Sequence, residues 1–393
     1  MPRYDHIAVA VPMLAELDNV PQLLSRLRAQ THANYTLYCC VNNVEGGYGF
    51  EENQRCLELL AEVRDIPLVV IDRSSPGLGW SGKRRGVGYA RKELFDRILQ
   101  DCDDHELLVS LDADTDFDPA YFEALLSTFR AHPQAQALSV PYFHPLSGSD
   151  ALDRPMLRYE CYMRHYHLGL LRIGSPYAFT ALGSAIVCPA WAYRRVGGIT
   201  PLQGGEDFYL MQKFAKTGTI LQRLDDPYGH LCVRPQGRTS ARVPFGTGPA
   251  IARGVASMDE SYPFYAPEGY SAVKATYDLF PALYDADIET PLSPFLRQQL
   301  ATDQLWEPLR RNFKSRDRFV HACHERLDGL RILQYLKNTP SCRLAIEDLP
   351  VDFRHDPVAT LDAYRHDLLR QEQQLIKIQH RGDDSASSTM LQI

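Results

Sequence analysis

Two aspartates directly follow an apolar run in the stretch LLVSLDADTDFD, residues 107–118. Strand residues alternate between faces, so Asp112 and Asp114 can point the same way from the end of one strand. Two carboxylates held close together in dry surroundings repel each other unless a cation lies between them. Mg²⁺ and Mn²⁺ prefer oxygen ligands and usually bring phosphate with them. The spacing therefore predicts a cation site, while solvated acidic loops after strands remain the simpler alternative.

A second acidic pair, Glu206-Asp207, follows two glycines at the predicted start of a helix. The glycines allow a close backbone approach to a ligand or a positive φ. Acidic residues in the first turn of a helix also complement its dipole, which is the ordinary reason to find them there. General acid–base chemistry is the other interpretation. The presence of Asp112 and Asp114 in the same chain favours the acid–base interpretation.

Basic residues cluster in two places. Lys83, Arg84 and Arg85 follow Gly82 at a predicted helix start, where backbone N–H groups and cations together form an anion site. Lys83 is the strongest candidate, and its two neighbours are as well explained as solvated surface. A later Arg- and Gly-rich loop could cover a diphosphate or be simply solvated; its arginines are Arg234, Arg238, Arg242 and Arg253.

The bulk composition excludes some function classes. The chain has 393 residues, 45% of them hydrophobic, and a net charge of -7, which argues against nucleic-acid binding through bulk positive charge. We find no uninterrupted apolar run of about 18 residues, so no membrane span is expected. Nine cysteines without a C-x-x-C pair fit reduced thiols in a cytosolic protein.

Strand-like and helix-like segments alternate through the first half of the chain. The predicted strands are 6–11, 35–41, 67–71, 107–111, 137–140 and 184–188, and the predicted helices are 19–30, 51–63, 81–100, 118–131, 155–173 and 204–216. Such alternation predicts an α/β fold with a mostly parallel sheet and helices on both faces, which binds ligands at the carboxyl ends of its strands. We expect a catalytic domain over 1–240, a mostly α-helical region over 241–380 and a disordered tail over 381–393.

Four segments in order resemble the family 2 glycosyltransferases, which have the nucleotide-sugar-binding GT-A fold. They are IAVAVPMLAELDNVPQLLSRLRAQ, SGKRRGVGYARK, LVSLDADTDFDPAYFEALLSTF and ALGSAIVCPAWAYRRVGGITPLQGGEDFYLMQKFAKTG, and they lie within roughly residues 5–220. The resemblance implies a transferase of the hexosyltransferase class. Its donor would be a nucleotide-sugar, and its acceptor a glycan, a lipid-linked sugar or a small molecule.

The resemblance also assigns roles to the acidic residues. Asp112 and Asp114 would hold Mn²⁺ or Mg²⁺ on the donor diphosphate, with Asp114 as the direct ligand. Asp207 would be the general base of an inverting transfer, and Glu206 would bind the acceptor or support the helix start. Some GT-A enzymes supply a third metal ligand from a histidine at the position of His230, which is otherwise explained as an ordinary hydrogen-bonded residue.

The remaining donor-binding assignments are Pro12, Glu16, Asn42, Lys83 and Asp112. Family members usually carry an aspartate after the second strand to read the nucleobase, whereas this chain has Asn42-Asn43 there. We expect a UDP-sugar rather than a GDP-sugar. The expected location is the cytoplasm, with peripheral association at the inner membrane face as an option.

Three other functions compete with this one. Gly77, Gly79 and Gly82 form a literal G-x-G-x-x-G, the dinucleotide-binding pattern of NAD-dependent oxidoreductases. It follows the third predicted strand rather than the first, and Trp80 is bulky for a close pyrophosphate. A sugar-phosphate nucleotidyltransferase would share the fold and the metal carboxylates, but it typically has a Gly-rich basic signature after the first strand. A non-catalytic protein would not need Asp112, Asp114 and Asp207 together.

Overall fold

The chain divides into two compact units. The computed structural model describes residues 4–82, 85–222, 229–236 and 247–390. The first unit comprises Met1–Met156 and Phe179–Arg253, and the second comprises Leu157–Ala178 and Gly254–Ile393. This division differs from the sequence prediction, which placed one boundary at 240 and kept the segment 157–178 with the catalytic domain.

The first unit contains the sheet. Its strands are β1 (Ile7–Met13), β2 (Tyr35–Asn42), β3 (Leu68–Arg73), β4 (Leu107–Ser110), β5 (Thr115–Asp116), β6 (Ala137–Ser139), β7 (Ile186–Pro189), β8 (Ile220–Gln222) and β9 (Arg234–Pro235). Its helices are α1 (Val20–Arg28), α2 (Phe50–Ala61), α3 (Val87–Asp101), α4 (Tyr121–Ala131), α6 (Ala190–Arg195), α7 (Glu206–Thr217) and α8 (Thr247–Ala252). A long helix, α5 (Asp150–Arg172), begins in this unit and ends in the second.

Seven strands form one sheet in the order β3-β2-β1-β4-β7-β6-β8, and β5 pairs separately with β9. Strands β1 and β2, β1 and β4, β2 and β3, and β6 and β8 pair in parallel, whereas β7 is antiparallel to both β4 and β6. β1 is buried along its whole length, as expected for a central parallel strand covered on both faces. The predicted α/β class with a mostly parallel sheet is confirmed.

The strand order reverses beside β1. The chain runs outward from β1 through β2 to β3 and then returns to add β4 on the other side of β1. In open α/β sheets such a reversal leaves a crevice at the carboxyl ends of the two strands involved. Asp112 and Asp114 follow directly after β4, so the fold places them at that crevice.

Helix α3 begins later than the sequence predicted. The prediction started it at residue 81, but its first residue is Val87. Gly82 and Gly86 have φ values of 63° and 98°, and residues with such positive φ values cannot lie within a right-handed helix. Neither Gly82 nor Gly86 can therefore belong to helix α3.

The second unit is mostly helical, as the sequence predicted for the C-terminal region. Besides the end of α5 it contains α9 (Val255–Ser261), α10 (Pro267–Leu279), α11 (Ser293–Leu300), α12 (Glu307–Asn312), α13 (Arg316–Arg326), α14 (Gly329–Asn338) and α15 (Val358–Met390). The last helix continues through most of the segment for which a disordered tail was predicted. Within the described ranges, no helix is both long and apolar enough to cross a membrane.

A buried ion network joins α5 to α15. Arg164 donates to Glu160 and to Glu372, each at 2.7 Å, and Glu372 also contacts Nδ1 of His167 at 2.7 Å. Arg365 reaches the other oxygen of Glu160 at 3.1 Å. Buried charges are tolerated only when they are paired in this way. The network explains why the segment 157–178 belongs with the C-terminal unit.

Candidate active site

Arg91 of α3 lies at the centre of the site. Its Nη2 donates to Oδ1 of Asp112 at 2.6 Å, its Nη1 donates to Oε1 of Glu206, and its Nε donates to Oγ of Ser110 at 3.1 Å. The guanidinium is only 6% exposed. One buried cation thus joins the end of β4 to the start of α7. The two acidic motifs that the sequence presents about 90 residues apart occupy one site.

Sequence reasoning missed Arg91, although a signal for it exists. The buried positions of α3 include Gly88, Ala90, Leu94, Phe95 and Ile98, and Arg91 lies among them at helical spacing. An arginine in the middle of an apolar helix face must find buried acceptors, because an unpaired buried charge is very costly. Its position therefore predicted an acidic partner in the core.

Glycines make room for this arrangement. A Cβ atom on Gly183 would lie 2.3 Å from Nη1 of Arg91, so the guanidinium rests directly on the backbone before β7. A Cβ atom on Gly88 would lie 2.3 Å from the carbonyl oxygen of Leu202. The Gly88 contact lies between the start of α3 and the loop that leads into α7, and the Gly183 contact lies between Arg91 and the backbone before β7. They give a physical reason for the glycines in the segments GVGYARK and ALGSAIV.

Glu206 and Asp207 form the first turn of α7 after Gly205, which has a φ of 80°. Glu206 is 1% exposed, and its Oε2 has no hydrogen-bond partner among the described residues. Asp207 is half-buried, and its Oδ1 accepts the N–H of Phe208 at 2.7 Å. Glu206 therefore anchors the helix start on Arg91, while Asp207 remains partly open to solvent.

The electrostatics of Asp207 suit proton transfer. Burial disfavours its charged form and raises its pKa to about 7, and the negative charge of Glu206 acts in the same direction. Arg91 and the Phe208 N–H oppose this shift. A carboxyl group that titrates near neutrality is well matched to general-base work at physiological pH.

Asp112 and Asp114 differ in their surroundings. The side chain of Asp112 is 40% exposed, and Arg91 takes its Oδ1, whereas Asp114 is buried. Among the residues described, no group of three or more His, Cys, Asp or Glu is placed to hold a metal ion. Mg²⁺ is commonly bound by one or two carboxylates with substrate phosphates completing its shell. The carboxylate oxygens of Asp112 and Asp114 are of the chemical type that such an ion binds, and their role as ligands stays a prediction.

His230 lies against Asp118, and it belongs to no cluster of metal-ligating side chains in the part of the chain that the structure describes. Its Nδ1 is 2.8 Å from Oδ1 of Asp118, which also accepts the N–H of Ala120 at 2.8 Å. Nearby, Arg234 contacts Asp116 at 3.4 Å, next to the pairing of β5 with β9. The acidic residues after the 112–114 motif thus hold the segment 229–236. The metal-binding role of His230 stays a prediction.

No contact to Arg91 is found for the other predicted donor-binding residues that the structure describes, which are Pro12, Glu16 and Asn42. Nδ2 of Asn42 donates to the carbonyl oxygens of Met13 at 2.9 Å and Cys40 at 3.2 Å, so this amide supports the sheet. Oδ1 of its neighbour Asn43 is buried with no partner in the described part of the chain. Pro12 lies within β1, and Glu16 accepts from Asn19. Lys83 and Arg84 lie outside the described residues, as do Arg238 and Arg242.

The G-x-G-x-x-G loop already binds a carboxylate of this chain. Gly77 donates its N–H to Oε1 of Glu45 at 3.2 Å, and Gly79 donates to Oε2 at 3.1 Å. A Cβ atom on Gly79 would lie 2.6 Å from Oε2 of Glu45. In the dinucleotide-binding pattern these glycines approach a pyrophosphate at a helix start. Here the Glu45 carboxylate accepts both N–H groups, and the next helix among the described residues, α3, begins only at Val87, which argues against an NAD site.

Comparisons with known proteins give structural similarity only. No protein-family model matches the sequence. No curated protein matches it significantly. S. aureus TarS 1-349 has a TM-score of 0.40 and 11% identity, covering 81% of this chain and 90% of that chain. The mannosyltransferase PcManGT from Pyrobaculum calidifontis, in complex with GDP-Man and Mn²⁺, has a TM-score of 0.35 and 16% identity, covering 82% and 86%. At these values, no conclusion about activity follows from the likeness.

Proposed function

We propose that this chain is a metal-dependent glycosyltransferase of the GT-A type, which moves a sugar from a nucleotide-diphosphate donor to an acceptor hydroxyl. The observation that carries the proposal is the contact of Arg91 with both Asp112 and Glu206. This contact supports the proposal because it links Asp112, one of the two carboxylates suited to a metal, to the helix turn that carries Asp207, the carboxyl suited to a base. A transfer of this kind needs one group for the leaving diphosphate and another for the incoming hydroxyl.

The leaving-group side of the reaction belongs to Asp112 and Asp114. These carboxylates would hold the divalent ion, whose chemistry is to neutralise the charge that develops on the departing diphosphate. Arg91 fixes the orientation of Asp112 through its Oδ1. Asp114 is buried, and a nearby cation favours the charged form of a carboxylate in dry surroundings.

The acceptor side belongs to Asp207. Its carboxylate takes the proton of the acceptor hydroxyl while that oxygen attacks the anomeric carbon. The bond from the anomeric carbon to the donor phosphate oxygen breaks, and its electron pair leaves with the nucleoside diphosphate. Direct displacement of this kind inverts the anomeric centre. Glu206, tied to Arg91, positions the helix turn that carries Asp207.

The finer assignments are part of the proposal. The donor is expected to be a UDP-sugar of a hexose, although Asn42-Asn43 replaces the base-reading aspartate that family members usually carry. The acceptor is a glycan, a lipid-linked sugar or a small molecule, and the reaction takes place in the cytoplasm or at the inner membrane face.

Asp207→Asn tests the catalytic assignment. The variant keeps the shape of the side chain but removes the base, so we expect turnover to fall by about 10²–10⁴-fold. Donor affinity, measured by isothermal titration calorimetry with Mn²⁺, should stay within about twofold, since the diphosphate side is unchanged. Asp65→Asn, which alters an exposed ion pair with Arg28, is the matched control. Wild-type turnover in Asp207→Asn would overturn the assignment.

Product analysis separates the proposal from the two rival enzyme classes. A glycosyltransferase releases a nucleoside diphosphate from its donor, whereas a nucleotidyltransferase releases pyrophosphate from a nucleoside triphosphate. Release of pyrophosphate would favour the nucleotidyltransferase. For the oxidoreductase, a fluorescence titration with NADH should show no binding, because Glu45 fills the glycine loop.

A further inference from the structure

The second unit contains a cavity of about 470 Å³ between two helices. His165, Gly169 and Arg172 line it from α5, and Tyr270 and Lys274 line it from α10. Both sets follow helical spacing, so each forms a stripe along one face of its helix. Small-molecule sites commonly occupy about 300–1,000 Å³. The cavity is large enough for a compact organic ligand.

The cavity wall depends on a glycine. A Cβ atom on Gly169 would lie 2.2 Å from Cζ of Tyr270, so the tyrosine ring rests on the bare backbone of α5. Tyr270 is 5% exposed, and Tyr265 beside it is 1% exposed. Tyr265, Tyr270 and Ile173 together give the cavity a mainly apolar and aromatic lining.

Two lining residues bury polar atoms that no described residue satisfies. They are the hydroxyl of Tyr270 and Nδ1 of His165. The ring of His165 packs edge-on against Phe264, with centroids 5.2 Å apart, and burial lowers its pKa to about 4, so it is neutral at physiological pH. Buried polar groups in native proteins are nearly always hydrogen-bonded, and leaving them unpaired is costly. Both atoms are fully buried behind the cavity wall, so a ligand in the cavity meets the rings of Tyr270 and His165 rather than these two atoms.

The charged lining residues carry a net positive charge. Arg172 and Lys274 are both exposed, and Arg172 donates to the neutral Oε1 of Gln371 at 2.7 Å. Lys274 pairs with Asp278 one turn along α10, and such exposed pairs contribute little and are readily exchanged. His165 adds no charge. The cavity therefore combines an apolar body with two cations, Arg172 and Lys274, and one acid, Asp278.

We propose that this cavity is a binding site for a small amphiphilic acid, with an aromatic or other apolar body and one carboxylate or phosphate group. The apolar body lies against Tyr265 and Tyr270, and the acidic group pairs with Arg172 and Lys274. All of these residues belong to the second unit, so the proposal does not depend on glycosyl transfer.

The test uses the full chain and a matched pair of probes, 2-naphthoate and its neutral isostere 2-naphthylmethanol. Binding is measured by saturation-transfer NMR and isothermal titration calorimetry. We expect 2-naphthoate to bind at least about tenfold more tightly than 2-naphthylmethanol, because only the carboxylate can form a charge-assisted hydrogen bond. Lys274→Gln should remove most of that difference, while Lys337→Gln, at an exposed position of α14, should leave it intact.

A cavity-filling variant locates the site. Ala275 lines the cavity and is exposed, so Ala275→Phe places a ring in its mouth without disturbing the core. We expect this variant to lose 2-naphthoate binding while keeping the wild-type melting temperature. If it unfolds, Ser271→Phe at another exposed lining position replaces it. Absence of binding, equal affinity for the two probes, or full binding by the filled variant would each overturn the proposal.

Discussion

Replacing Arg91 with methionine removes a guanidinium that contacts both acidic motifs while keeping a flexible side chain of similar length. The change leaves Glu206, which is 1% exposed, as a buried carboxylate without its counter-charge. Asp112 loses the same partner but is 40% exposed and can be solvated. Nearly all of the cost should therefore come from Glu206.

The size of the effect follows from the burial of the pair. Removing one partner of a buried ion pair costs about 3–5 kcal/mol. Domains of 150–250 residues lose about 2–4 °C in melting temperature for each kcal/mol. We therefore expect Arg91→Met to melt about 6–20 °C below the wild type. A typical domain has about 5–15 kcal/mol of stability, so the variant should still fold at low temperature.

Differential scanning calorimetry of the full chain measures this shift, and the same helix offers a control. Arg97 of α3 makes an exposed pair with Asp101 at 3.0 Å, and such pairs contribute about 0–1 kcal/mol. Arg97→Met should therefore shift the melting temperature far less. The double variant Arg91→Met/Glu206→Gln removes the buried charge and should melt above Arg91→Met. If Arg91→Met melts no lower than Arg97→Met, the ion-pair reasoning is refuted.

Three further predictions concern the pH dependence of activity, the pH dependence of stability and the buried ion network of the second unit. Asp207 must be ionised to accept a proton, so its pKa of about 7 predicts that kcat/KM rises with pH through that value. A flat profile of kcat/KM between about pH 5 and 8 would contradict the role of Asp207 as general base. The pKa of Asp207 in the folded state lies above its ordinary value of 3.8, so protonated Asp207 stabilises the fold. This contribution is complete below pH 3.8 and is lost as the pH rises through about 7. Asp207→Asn should therefore flatten this part of the pH dependence of the urea midpoint. Glu372→Gln leaves His167 without its buried carboxylate and Arg164 with Glu160 as its remaining buried partner, and it should cost about 3–5 kcal/mol. Asp367→Asn, at an exposed pair, should cost under about 1 kcal/mol. Equal urea midpoints for these last two variants would contradict the structural role of the buried network.

The sheet was predictable from the sequence because its strands are apolar runs separated by helical patterns. The antiparallel direction of β7 was not predictable, because an apolar run has the same pattern in a parallel strand as in an antiparallel one. The late start of α3 escaped prediction because Gly82 and Gly86 adopt positive φ values, which the helical pattern of the following residues does not reveal.

The acidic residues of the candidate site could be proposed from their type and spacing, but the contacts through which Arg91 joins Asp112 to Glu206 could not. Arg91 contacts Glu206 across 115 residues of sequence, and nothing in the local pattern names that partner. The same holds for the pairing of Arg164 with Glu372, 208 residues apart, which assigns the segment 157–178 to the C-terminal unit. Side chains buried as ion pairs between distant segments become visible only in the folded chain.

The most direct test of the central claim is whether a nucleotide-sugar stabilises the protein through a divalent ion. Thermal shift is measured with UDP-, GDP- and dTDP-sugars, with and without Mn²⁺, for the wild type and Asp114→Asn. A ligand at a hundred times its Kd adds about 2.7 kcal/mol of stability. We predict a raised melting temperature with at least one donor, dependent on Mn²⁺ and lost in Asp114→Asn. If no nucleotide-sugar raises the melting temperature in the presence of Mn²⁺, the proposed function is contradicted.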